Sequence, residues 1–88
     1  MSVSLDERYE LDPQVAIRPE PFGALAYHYG NRRLVFLKSL DMVSVVRSLG
    51  EHDSLAATLR AAGVEERRWP SFVKALDSLV DSEVIRGR

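Results

Sequence analysis

Two histidines, His28 and His52, are the only imidazoles in this chain, and no cysteine accompanies them. Without thiolates, and without the HExxH spacing that sets two imidazoles on one helical face, they do not make a metal site. Each reads as a surface imidazole, His28 on a strand and His52 in a loop between helices. No GxSxG elbow, P-loop or GxGxxG turn occurs, and a Ser-His-acid triad is not recognisable from spacing. The residue types therefore argue for no catalysis, no metal and no cofactor. What remains is the chemistry of recognition. Arg32 and Arg33 form a cationic pair, and Lys38, Arg67, Arg68 and Lys74 are further contacts for an acidic partner. The backbone itself becomes a binding group wherever a strand edge lacks a partner.

The elements that position these groups are set by turn signals and periodicity. Residues 1–8 read as a disordered tail and residues 9–88 as one domain. Tyr9 to Leu11 is a short strand, and Asp12-Pro13 a turn. Val15 to Arg18 starts a sheet, and Pro19 and Pro21 interrupt its ladder. Phe22 to Tyr29 is the second strand of that sheet and Leu34 to Lys38 the third. Gly30-Asn31 is a hairpin signal, since both tolerate positive φ. With Gly30-Asn31 as the loop, Tyr29 faces Arg32 and Tyr27 faces Leu34. With Asn31-Arg32, Tyr29 faces Leu34 and Tyr27 faces Phe36. Either way Leu25, Tyr27, Tyr29, Leu34 and Phe36 share one side. Their size marks that side as the core face. Ala24, Ala26, His28, Val35 and Leu37 take the other.

Three helices follow. Ser39 caps the first, with Asp41 in its first turn and a stripe of Leu40, Val43, Val46 and Leu49. Asp53 or Ser54 opens the second, Leu55, Ala56, Leu59 and Ala62 face inward, and Gly63 suits its C′ position with Val64 as a buried plug. The third runs from about Pro70, a good first-turn residue, to Ser82. Phe72, Val73, Leu76, Leu79 and Val80 form its apolar face, and Val84 and Ile85 close the core. Trp69 either staples this helix to the core or joins an exposed patch. A three-stranded antiparallel sheet followed by three helices is an α+β fold.

Eighty-eight residues with 45% hydrophobic content make one small, marginally stable domain. The absence of cysteine suits a reducing cytoplasm. The N-terminus lacks a basic stretch followed by an apolar run, so no signal peptide is expected, and no apolar run reaches membrane-spanning length. Twelve basic and thirteen acidic residues nearly cancel. A nucleic-acid domain usually shows a basic excess. The second and third helices still suggest a helix-turn-helix, so a winged-helix DNA-binding regulator is the rival reading. Against it, the solvent side of the third helix carries Asp77 and Asp81, which repel phosphate.

The runs LDPQVAIRPEPFGAL, YHYGNRRLVFLKS and RWPSFVKALDSL, spread over about Tyr9 to Arg86, resemble the PqqD-like peptide-recognition elements. Among these they are most similar to the mycofactocin precursor-peptide chaperones. One departure is Asp12, where histidine is expected. The resemblance implies a winged helix-turn-helix fold and a bacterial, cytoplasmic, non-catalytic protein. It implies binding to the leader of a short acidic precursor peptide and delivery to a radical S-adenosylmethionine (SAM) maturase, which holds the iron-sulfur clusters and modifies a C-terminal Val-Tyr. It further implies that the leader adds as a strand beside Leu34, Val35, Phe36, Leu37 and Lys38. Phe72, Ala75, Leu76 and Leu79 would supply the helical wall, and Arg32, Arg33, Lys38 and Lys74 the charge for an acidic leader. A free edge also allows a homodimer.

Overall fold

Serine caps, proline corners and αL turns divide this chain into short elements that only pack when layered. A computed structural model describes residues 3–88 as an α+β fold with a three-stranded antiparallel sheet and three α-helices. Strands β1 (Tyr9–Leu11), β2 (Val15–Glu20), β3 (Gly23–His28) and β4 (Leu34–Leu37) come first. Helices α1 (Leu40–Ser48), α2 (Leu55–Ala61) and α3 (Trp69–Asp81) follow, and β5 (Ile85–Gly87) comes last. The main sheet has the order β2-β3-β4, and β1 pairs with β5 in a separate two-stranded ribbon.

The β3–β4 register pairs Tyr27 with Leu34 and Leu25 with Phe36, one of the two registers expected. The turn is wider than two residues. His28 N–H donates to the Arg33 carbonyl, and Arg32 N–H donates to the His28 carbonyl. Positive φ falls on Arg32 (φ 61) and not on Gly30 or Asn31. The cause is His28, whose Nδ1 accepts the N–H groups of both Gly30 (3.0 Å) and Asn31 (3.1 Å). The tip wraps around the imidazole. His28 is accordingly buried, at 6% exposure, and not the surface residue expected. Accepting at Nδ1 places the proton of the neutral ring on Nε2, which points to the Asp12 carboxylate at 3.8 Å.

The sheet buries the opposite face from the one expected. Ala24 and Ala26 are fully buried and Leu37 is nearly so, whereas Tyr29 (65%), Leu34 (55%) and Phe36 (57%) are exposed. Helix α1 packs against β3 and lies on one side of the sheet only. The alanines, being small, let the helix approach closely, and alternation along the strand then turns the aromatic residues outward.

Side-chain caps fix the helix starts: Ser39 Oγ accepts the Met42 N–H and Ser54 Oγ accepts the Ala57 N–H. The α1 stripe is Met42, Val45 and Val46, with Leu49 beyond it, while Val43 is half-buried and Leu40 stands in solvent. Both α2 and α3 end in Schellman turns. After α2, Gly63 (φ 76) donates to Arg60 O and Val64 to Leu59 O. After α3, Glu83 (φ 64) donates to Val80 O and Val84 to Leu79 O. Val64 and Val84 are thereby driven into the core. Trp69 is also core, with its indole N–H donating to the Val64 carbonyl at 2.9 Å.

Two further features depart from the sequence expectation. Of the supposed tail, Met1 and Ser2 lie outside the described residues, but residues 3–8 pack against the helices. Val3 is buried, its N–H donates to the Asp77 carboxylate, and the carbonyls of Leu5 and Glu7 accept from Ala56 and Leu55 at the start of α2. Second, β5 follows α3 and pairs Ile85 with Leu11. Three residues are too few to show a strand period, so nothing in the sequence marked it.

Candidate functional site

Hydrogen-bond alternation across the sheet decides which backbone groups are free. His28 donates to Arg33 O, so the bonded β3–β4 pairs are His28–Arg33, Ala26–Val35 and Ala24–Leu37. Val35 and Leu37 are thus occupied within the sheet. The N–H and C=O groups of Leu34 and Phe36, and the backbone of Lys38 beyond, point away from β3, and their N–H groups find no partner among the described residues.

The other edge is guarded. Tyr29 donates to Gln14 O, which sets the bonded β2–β3 pairs at Ala16–Tyr27 and Arg18–Leu25. The outward positions of β2 are then Val15, Ile17 and Pro19. Val15 N–H is held by the Asp12 carbonyl, and Pro19 has no N–H to offer. Proline does not interrupt the ladder as expected: it sits inside β2 opposite Ala24, with its missing donor on the solvent side. Ile17 is then the one outward donor left on β2, against the run of Leu34, Phe36 and Lys38 on β4, so the β4 edge is the more open of the two.

A groove of about 370 Å³ runs beside the open edge. Val35, Leu37 and Met42 make its apolar side, and Ala75, Ser78 and Leu79 of α3 form the facing wall. One end is tied down by the hairpin tip. Asn31 Nδ2 donates to the Glu83 carboxylate at 2.7 Å, and Arg33 Nη1 reaches the Asp81 carbonyl at 3.5 Å. These contacts pin the tip to the C-terminus of α3 and hold strand and helix apart at a fixed distance. The Arg68–Asp41 ion pair (3.0 Å) ties the start of α3 to the start of α1.

The expected site residues divide into four groups. Val35, Phe36, Leu37, Lys38, Ala75 and Leu79 line the groove together. Arg32 and Arg33 stand exposed at the tip, and Lys74 is exposed on α3 outside the groove lining. Phe72 and Leu76 do not reach the groove: Leu76 is fully buried and Phe72 nearly so, under the Arg68 guanidinium. They hold α3 to the core. Leu34 contributes its backbone edge while its side chain lies on the outer face of the sheet. Sequence reasoning missed Ser39, Met42 and Ser78 as groove residues. Met42 follows its capping serine by one helical turn, and Ser78 is three positions after Ala75, so both had a spacing signal.

The chemistry available is hydrogen bonding from an extended backbone next to an apolar trough. Among the described residues, no group of His, Asp or Glu gathers as a metal site, and no helix is long and apolar enough to cross a membrane.

Fold and site define a small α+β domain whose main sheet leaves its β4 edge open beside a helix. The peptide chaperone MftB family model matches residues 8–86. The peptide chaperone MftB of Mycobacterium ulcerans is 45% identical over 91% of this chain and 73% of its own length. That of Mycolicibacterium smegmatis is 43% identical over 97% of this chain and 91% of its own. That of Mycobacterium tuberculosis is 41% identical, again over 91% and 73%. No solved structure matches the chain. The chain belongs to the peptide chaperone MftB family, which is a family of chaperones and not of enzymes.

Proposed function

We propose that this protein is a cytoplasmic chaperone of mycofactocin biosynthesis that binds the leader of an acidic precursor peptide as an added strand on β4 and presents it to a radical SAM maturase. Family membership supports the chaperone role. The single observation that carries the binding mode is the asymmetry of the sheet edges. β2 is reduced by Pro19 and the Asp12 turn to the single outward donor of Ile17, while β4 offers the backbone of Leu34, Phe36 and Lys38 beside an apolar groove. An added strand satisfies those groups and drops alternate side chains into the trough. Arg32, Arg33 and Lys38 flank this edge and, with Lys74 exposed on α3, favour an acidic leader, mainly through encounter rate and register.

In this reading the β3–β4 hairpin is the wing of a winged helix-turn-helix, used for peptide and not for DNA. Against the DNA-binding alternative, Asp81 stays exposed on α3, and the N-terminal segment contacts Asp77 on the same helix. An amide chemical-shift map with the acidic precursor peptide tests the proposal. Shifts should cluster at residues 34–38 and 75–79, and shifts centred on β2 or on the β1–β5 ribbon would refute it.

A further inference from the structure

The outer face of the sheet has no layer on it. Phe22 (46% exposed), Tyr29, Leu34 and Phe36 stand in solvent around half-buried Leu25 and Tyr27. The side chains are ordered against each other: the Phe22 and Phe36 rings meet edge-on at 6.0 Å, and those of Tyr27 and Tyr29 at 5.1 Å. Monomeric domains rarely expose a contiguous apolar patch of this kind without a partner. Its rim carries both signs: Arg18, 79% exposed, lies opposite Leu25 on this face and pairs with Glu20 at 3.4 Å, while Lys38 adjoins Phe22 and Phe36.

This face and the proposed peptide edge share one strand. A peptide added to β4 would continue the pleat, sending alternate side chains into the groove and the others onto the outer face beside Leu34 and Phe36. A partner seated on the outer face would therefore touch chaperone and peptide at once. From this continuity, and resting on the proposed peptide binding, we infer that the outer sheet face is the docking surface for the enzyme that modifies the bound peptide, which meets it with an apolar patch of its own. A second copy of the chain fits less well. Three half-exposed aromatic side chains present on the order of 300 Å², short of the roughly 800 Å² per partner of a stable complex. A bound peptide enlarges the face on the one side where it can grow.

The test uses the intact chain, the precursor peptide and the radical SAM maturase of the proposed function. Phe22→Ser combined with Tyr29→Ser removes apolar contacts from both flanks of the face and leaves β4 and the groove intact. Arg18→Glu breaks the pair with Glu20 and leaves two uncompensated carboxylates on the rim, at a solvent-exposed site where folding is not at stake. The double variant should weaken association with the peptide-bound maturase at least tenfold and Arg18→Glu about threefold, while peptide affinity stays within twofold. Maturase affinity within twofold of the parent for both variants overturns the inference. So does loss of a sedimenting dimer with maturase binding intact, which would assign the face to contact between copies. Failure of the parent chain to bind peptide would instead strike the proposed function, a separate reading in the same experiment.

Discussion

The backbone of Gly23 lies against the Leu37 carbonyl, so closely that a Cβ at position 23 would overlap that oxygen. Gly23 also holds φ +153, which L side chains rarely adopt. This contact seats the end of β4 on the start of β3, just before Ser39 caps α1. We expect Gly23→Ala to destabilise the domain by about 2 kcal/mol or more, from backbone strain and steric overlap together. Urea unfolding monitored by circular dichroism measures it, and a loss under about 0.5 kcal/mol would show that β4 shifts without cost.

Phe36 and Val35 separate edge binding from sheet integrity. Phe36 N–H points to the open edge, so Phe36→Pro should leave the β3–β4 ladder in place while removing a donor from the groove. Val35 N–H points to Ala26, so Val35→Pro should unfold the hairpin. Calorimetry with the precursor peptide, alongside thermal melts, distinguishes the two. A folded Phe36→Pro variant that binds the peptide normally would rule out strand addition on β4.

Arg33 and Lys38 stand near the two ends of the open edge, both exposed. Replacing both with glutamate should weaken binding of an acidic peptide about tenfold at low salt and flatten the salt dependence of its Kd. An unchanged Kd across a salt series would remove charge from the account of recognition.

Trp69 is the only tryptophan and is buried, with its indole N–H on the Val64 carbonyl and the Arg60 guanidinium 5.2 Å from the ring. It lies outside the groove lining, so its fluorescence should report unfolding and stay nearly constant on peptide addition. Trp69→Phe leaves a buried carbonyl without its donor and should cost about 1–3 kcal/mol. A strong emission shift on peptide binding would mean that the groove reaches further toward α2 than the structure shows.

Much of the architecture was legible because local chemistry dictates it. Ser39 and Ser54 cap their helices, Gly63 takes the αL turn, and Pro70 stands in the first turn of α3, all as the sequence predicts. The open edge at residues 34–38 was also legible, since the element order leaves that strand without a following partner. The side-chain face was not. Period-two alternation separates Leu25, Tyr27, Leu34 and Phe36 from Ala24, Ala26, Val35 and Leu37, but alternation alone is symmetric between the two sides. Size pointed to the aromatic side as core, and the close approach of α1 over the alanines reversed it. Phe72 and Leu76 were misplaced for a related reason. A helix with a wide apolar stripe does not say which part of the stripe meets the core and which meets a groove.

By itself the sequence determined the caps, the turns, the strand pairing register to within two choices and the absence of thiol chemistry, because these depend on residues close along the chain. The tertiary structure decided which sheet face is buried, how residues 3–8 pack, the pairing of β1 with β5 and the partial closing of the β2 edge. Each of those depends on what another layer or a distant segment covers, and a helix approaches closely only where small side chains leave room for it.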